Sequence, residues 1–133
     1  MRVFLDTNVL ASAVATRGLC ADLMQTVLAE HEMLVGTRVL EELEDVLSRK
    51  FRLRADIRKE YLALLRSEGE VVSGTVSPGV KLRDKDDEKV LANALAGKAD
   101  VFVTGDQELL ALKHVRNIPI VSPRGLWNLL QTA

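Results

Sequence analysis

Asp6, Glu42, Asp87 and Asp106 are the side chains whose type and placement suggest chemistry. Asp6 closes the apolar run Val3-Phe4-Leu5, and Asp106 follows Val101-Phe102-Val103 through Thr104-Gly105. Glu42 falls in the second turn of a helix expected after Met33-Leu34-Val35-Gly36, and Asp87 falls at the start of a helix expected from about Asp86 to Gly97. Carboxylates gathered in one crevice repel each other, and their pKa values rise unless a counter-charge is present. Hard divalent cations with oxygen ligands supply that charge, and Mg²⁺ usually keeps several waters for substrate. A two-ion arrangement would activate a water and stabilise the leaving oxygen of a phosphodiester. Other schemes lack parts: His31 and His114 are the only histidines and sit at no zinc-site spacing, and there is no glycine-rich phosphate loop or nucleophile elbow.

Each acid also has a structural explanation. An aspartate after a strand is usually a cap or turn residue, which covers Asp6 or Asp106 taken singly but not their joint placement. In the helix after Thr37, the buried arc is Val39, Leu40, Leu43, Val46 and Leu47. At roughly 100° per residue, Glu41 and Asp45 oppose that arc, while Glu42 and Glu44 lie on its flanks. A solvated acidic face accounts for Glu41 and Asp45; Glu42 is open to either reading. In the next acidic helix, Val90, Leu91, Ala94 and Leu95 set the apolar centre, and Asp87 falls almost in its middle. A carboxylate aimed inward is costly unless it is paired or ligates a cation. The rival reading has Asp84 capping the helix and Asp87 completing a capping box.

The elements that must position these acids follow from the apolar pattern. Strands are expected at Val3–Leu5, Met33–Gly36, Glu70–Val72, Val101–Val103 and Ile118–Val121. Between them lie one or two helices interrupted near Thr16-Arg17-Gly18, a helix from an N-cap at Thr37 to about Ser48, and helices at Ala55–Ser67 and Asp86–Gly97. A brief helix precedes the fifth strand, and a last one starts at Pro123 with Ser122 as its cap. Uniformly apolar strands alternating with helices imply an α/β protein: three layers, α/β/α, around a mainly parallel sheet of about five strands. If the order is 3-2-1-4-5, strands one and four are neighbours at its switch point. Ligands in such sheets bind beyond the carboxyl ends of the strands where strand order reverses, between strands one and four. That is where Asp6 and Asp106 sit.

Composition bounds the rest. The 133 residues, 47% hydrophobic, suit a single domain over 1–133 with one core. No apolar run approaches the roughly 18 residues needed to span a bilayer, and the N-terminus meets Asp6 before a signal-peptide core could form. The lone Cys20 excludes an internal disulfide and suits a reducing cytoplasm. A net charge of −1 argues against a simple basic nucleic-acid binder. Local basic charge gathers at Arg49, Lys50, Arg52, Arg54, Arg58 and Lys59, a candidate grip for RNA phosphates. Aromatics are too scarce for a base-stacking platform.

Four segments together resemble the PIN-domain family. Val3-Phe4-Leu5-Asp6-Thr7-Asn8-Val9 is similar to its opening motif, and Glu42-Leu43-Glu44-Asp45-Val46-Leu47-Ser48-Arg49 to the helix carrying its second acid. Asp87-Glu88-Lys89-Val90-Leu91-Ala92-Asn93-Ala94 resembles the third-acid helix, and Ala99 to Asp106 the strand and Thr-Gly-Asp that end in the fourth. The resemblance implies a Mg²⁺- or Mn²⁺-dependent ribonuclease centre with Asp6, Glu42, Asp87 and Asp106 as metal ligands. Asn8 and Thr104 would orient the aspartates. The bacterial members closest in size are VapC-like toxins, often held inactive by a cognate antitoxin, and homodimerisation also follows only from the likeness. The crowded Asp84-Lys85-Asp86-Asp87-Glu88 stretch departs from the pattern, so Asp84 or Asp86 would share or replace the role given to Asp87.

Two other functions start from the same residues. A haloacid-dehalogenase-type phosphohydrolase also puts an aspartate after its first strand, but needs a second two residues later, where this chain has Asn8. A PIN fold kept only for binding protein would not need all four acids.

Overall fold

The computed structural model describes residues 1–132. Six strands form one sheet: β1 (Arg2–Leu5), β2 (Glu32–Gly36), β3 (Glu70–Val72), β4 (Val101–Val103), β5 (His114–Val115) and β6 (Ile118–Val121). Seven helices connect and cover them: α1 (Thr7–Ala15), α2 (Leu19–Glu30), α3 (Thr37–Arg49), α4 (Ala55–Glu68), α5 (Lys85–Ala96), α6 (Gln107–Leu112) and α7 (Pro123–Thr132). The order is β3-β2-β1-β4-β6-β5, parallel except for β5 against β6. The expected 3-2-1-4-5 sheet is present, with the anticipated fifth strand now β6. The addition is β5, a two-residue edge strand hairpinned to β6 through Arg116-Asn117, with Arg116 at φ 52°.

The order in which strands are added reverses at the middle of the sheet, between β1 and β4. The crossovers from β1 to β2 to β3 step one way, and those from β3 to β4 to β6 step the other. Right-handed connections therefore place α1–α4 on one face and α5 and α6 on the other. Both faces of the central strands are covered, so Val3, Phe4, Leu5, Val101, Phe102 and Val103 are buried almost completely. The Phe4 and Phe102 rings stack across β1 and β4 with centroids 5.1 Å apart. That pairing fixes the two strands whose ends carry Asp6 and Asp106.

The start of α3 differs from expectation. Gly36, not Thr37, is the N-cap, and Thr37 is the first helical residue. β2 turns directly into α3 so tightly that a Cβ at Gly36 would meet Asn93 Oδ1 and the Phe4 ring at 2.8 Å. A side-chain cap has no room there. The cap is tertiary instead: Asn93, buried in α5, accepts the Arg38 N–H at 3.0 Å. At α7, Ser122 caps as expected, its hydroxyl accepting the Gly125 N–H at 3.0 Å. No helix among the described residues is long and apolar enough to cross a membrane.

Candidate metal-binding and nuclease site

Asp6 is the buried centre of the site. β1 ends at Leu5, and Asp6 caps α1, its Oδ1 accepting the Thr7 N–H at 2.8 Å. Thr104, fully buried after β4, donates its hydroxyl to Asp6 Oδ2 at 2.7 Å. The same Thr104 oxygen accepts the Asp106 N–H at 3.0 Å. One hydroxyl therefore ties the first and fourth acids together across the neighbouring strand ends. Asp106 in turn caps α6, with Oδ1 accepting the N–H groups of Glu108 and Leu109 at 2.8 and 3.3 Å.

Glu42 is half-buried, and its Oε1 accepts a long bond from the Thr7 hydroxyl at 3.4 Å. Glu41 is exposed and ion-paired with Arg38 at 2.7 Å. Adjacent glutamates thus face different surroundings, as the helix phase predicts. On α5, Asp84 is the cap, accepting the Asp86 N–H at 2.8 Å. Asp86 is held by Arg38 at 2.8 Å, with Lys89 at 3.8 Å. Asp87 has neither job: among the described residues no hydrogen bond joins its carboxylate to the Asp84 N–H, so the capping box is absent. Asn8 is exposed, with no hydrogen bond to an acid among the described residues; Thr7 makes the contacts instead.

The electrostatics show that these acids sense one another. Burial first, then the charges of Asp6, Asp84, Asp106 and Glu42, push the Asp87 carboxyl up from 3.8 to about 7. Burial raises Asp6 against the opposing bonds from Thr104 and Thr7, with Asp106 adding to the rise. Burial also raises Glu42, opposed by the positive charge of Arg38 and aided by Asp6, Asp86 and Asp84. The acids thus lie within electrostatic reach of one another, with Arg38 as the cation that opposes the rise at Glu42. Two of them, Asp87 and Asp106, line a cleft with Arg83, Asp84, Gln107 and Glu108.

All oxygen donors and surplus negative charge fit a hard divalent cation. The spacing is looser: no three His, Cys, Asp or Glu side chains among the described residues stand close enough to hold one ion as placed.

Sequence reasoning passed over Arg38. Its side chain runs along α5, with its backbone N–H on Asn93 and its guanidinium on Asp86, seven residues or about 10 Å back along the helix. Arg38 stands four residues before Glu42 on α3, a helical spacing that could have singled it out.

A profile of the PIN domain matches residues 2–108, from β1 through Asp106. The chain belongs to the PIN-domain family. That assignment removes the phosphohydrolase alternative. Among solved structures, this PIN domain is similar to VapBC2 from Rickettsia felis, described as bound to a DNA fragment from their promoter, at TM-score 0.67 and 15% identity over 92% of this chain and 98% of that one. It is similar to VapC20 of Mycobacterium tuberculosis, described as a sarcin-ricin loop cleaving toxin, at TM-score 0.59 and 16% identity over 88% and 98% of the two chains. The PIN domain endonuclease Utp24 follows at TM-score 0.55 and 19% identity over 91% and 84%. A search of curated proteins found no match. At these identities the likeness to the solved structures is one of fold.

Proposed function

We propose that this PIN domain is a Mg²⁺- or Mn²⁺-dependent endoribonuclease, acting in the cytoplasm as the toxin of a toxin–antitoxin pair. The observation that carries this reading is geometric: Thr104 ties Asp6 to Asp106 at neighbouring strand ends, and Asp87, raised to about 7 by burial first and then by the charges of Asp6, Asp84, Asp106 and Glu42, lies on the same cleft as Asp106. Within a nuclease-bearing family, a divalent cation is the economical counter-charge. Asp6, Glu42, Asp87 and Asp106 would hold it, and when bound it supplies activation of a water and charge relief at the leaving oxygen. The chain's own part is orientation. Thr104 holds Asp6 Oδ2, the α6 N–H groups hold Asp106 Oδ1, and Thr7 steadies Glu42.

RNA phosphates away from the cut would meet Arg49, Lys50, Arg52 and Arg54. All four are exposed. Arg49 and Arg54 pair only with Asp45 at 2.8 Å and Asp56 at 3.3 Å on the surface, and such pairs exchange readily for phosphate. Arg49 is seven residues beyond Glu42, on the same side of α3 and about 10 Å along it. A cognate antitoxin and a second copy of the chain are the protein partners of this reading.

The loose spacing of the acids favours a second reading, a PIN fold that binds protein without cleaving RNA. Incubating purified protein with labelled single-stranded RNA separates the two. Cleavage with Mn²⁺ that stops with chelator and in Asp6→Asn supports the nuclease; intact RNA in every arm supports the silent fold.

A further inference from the structure

The acid cleft must admit an anionic substrate, yet five of its six lining residues are acidic or neutral: Asp84, Asp87, Asp106, Gln107 and Glu108. Arg83 is the sixth. Its side chain is 95% exposed, and its nearest acid is Glu108 at 4.0 Å, a loose pairing. The flanking cations on α3 and α5 already have acid partners: Arg38 pairs with Glu41 and Asp86, Lys85 with Glu88 at 3.1 Å and Lys89 with Asp86 at 3.8 Å. A guanidinium fork matches phosphate oxygens two at a time, and here it is free to do so.

Gly105, between Thr104 and Asp106, offers a second and independent observation. It is exposed, its φ lies outside the left-handed region, and a Cβ built on it meets nothing within 4 Å. Neither backbone conformation nor packing requires glycine there. Gly36, by contrast, would clash at 2.8 Å. A side chain at 105 would project into open space one residue before Asp106, which lines the cleft.

We infer that the substrate strand leaves the acid crevice over Gly105 and past Arg83, whose guanidinium grips a phosphate next to the one cleaved. The inference rests on the nuclease reading above. Arg83 then sets substrate affinity without touching the metal, and Gly105 keeps the floor of the path low enough for the nucleotide chain. Unlike the Arg49–Arg54 segment, this path starts within the cleft itself.

The test uses the whole chain, a labelled single-stranded RNA oligonucleotide and Mn²⁺. Arg83→Ala should raise KM at least about fivefold and leave kcat within about twofold, the mark of lost uniform binding. The salt slope of binding should flatten by about 0.7, one phosphate contact on a single strand. Arg83→Lys should restore part of the affinity, since it keeps the charge and loses the fork. Gly105→Ala should melt at the same or a higher temperature than wild type while KM rises. Neither variant should move the Mn²⁺ midpoint. Wild type that cleaves, beside Arg83→Ala with unchanged KM and salt slope, overturns this path and leaves the nuclease reading standing. A shifted Mn²⁺ midpoint in Arg83→Ala, or a lower melting temperature in Gly105→Ala, also overturns it. RNA left intact by wild type with Mn²⁺ overturns both.

Discussion

The Thr104 hydroxyl donates to Asp6 Oδ2 at 2.7 Å across 98 residues of chain, and the same oxygen accepts the Asp106 N–H at 3.0 Å. Two acids at adjacent strand ends are therefore spaced by one buried group. Thr104→Val keeps the shape and removes both bonds, leaving two polar partners unsatisfied. Urea unfolding should show a loss of about 1–3 kcal/mol, while Thr104→Ser should recover most of it. Equal stability of wild type and Thr104→Val would mean that water replaces the hydroxyl.

The raised carboxyls make a signed pH prediction. Between the ordinary value of 3.8 and about 7, folded protein keeps a proton on Asp87 that unfolded protein has lost. The native state binds more protons there, so metal-free stability falls as pH rises from about 4 to about 7 and then levels. Asp6 and Glu42, also raised, add in the same direction. Asp87→Asn should flatten this slope in thermal melts with chelator. Stability that climbs through the window in wild type would contradict the crowding.

Arg38 and Asp86 join the two helices that carry Glu42 and Asp87. The pair is partly exposed, 26% and 40% at the side chains, so a double-mutant cycle of Arg38→Gln and Asp86→Asn should give a coupling of about 1 kcal/mol or less. Arg38→Ala should lose more, because its stem lies along α5 and packs there. A coupling several times larger would make the pair a main brace of the fold.

Much of the site is legible in the sequence because its acids follow short apolar strands, and strand ends are what periodicity locates well. The joint placement of Asp6 and Asp106 follows from that rule, and helix phase puts Glu42 on a flank of α3 and Asp87 inward on α5, while their roles as ligands come from the PIN resemblance. Asp86 shows the limit. Its partner Arg38 is 48 positions away, and no local pattern reveals a long side chain reaching between helices. The Asn93 cap on α3 escaped for the same reason, and a cap at Thr37 was expected in its place. β5 was invisible because two residues carry no period, and Thr7 rather than Asn8 faces Glu42 because Asn8 turns outward on the first turn of α1.

At the amino-terminal end of the strands, opposite the acids, Arg2 ties β1 to its neighbours. Its guanidinium bonds Glu32 at 2.9 Å, Glu70, and the Gly97 carbonyl at 2.6 Å, and its N–H bonds Asp100 at 2.7 Å. Arg2→Met should lower the melting temperature by a few degrees, corresponding to about 1 kcal/mol, and leave Mn²⁺ affinity unchanged. Altered metal affinity would mean the two ends of the sheet communicate.

The central claim is that four acids on four elements make one cation site, and Mn²⁺ titration followed by loss of the free-ion electron paramagnetic signal tests it most directly. Glu41 and Glu42 are adjacent on α3, one exposed and paired with Arg38, the other half-buried beside Thr7. Wild type and Glu41→Gln should bind Mn²⁺ alike. Asp6→Asn and Glu42→Gln should each bind at least about tenfold more weakly, a loss of roughly 1.4 kcal/mol, while remaining folded. Equal Mn²⁺ affinity in wild type, Asp6→Asn and Glu42→Gln would contradict the site.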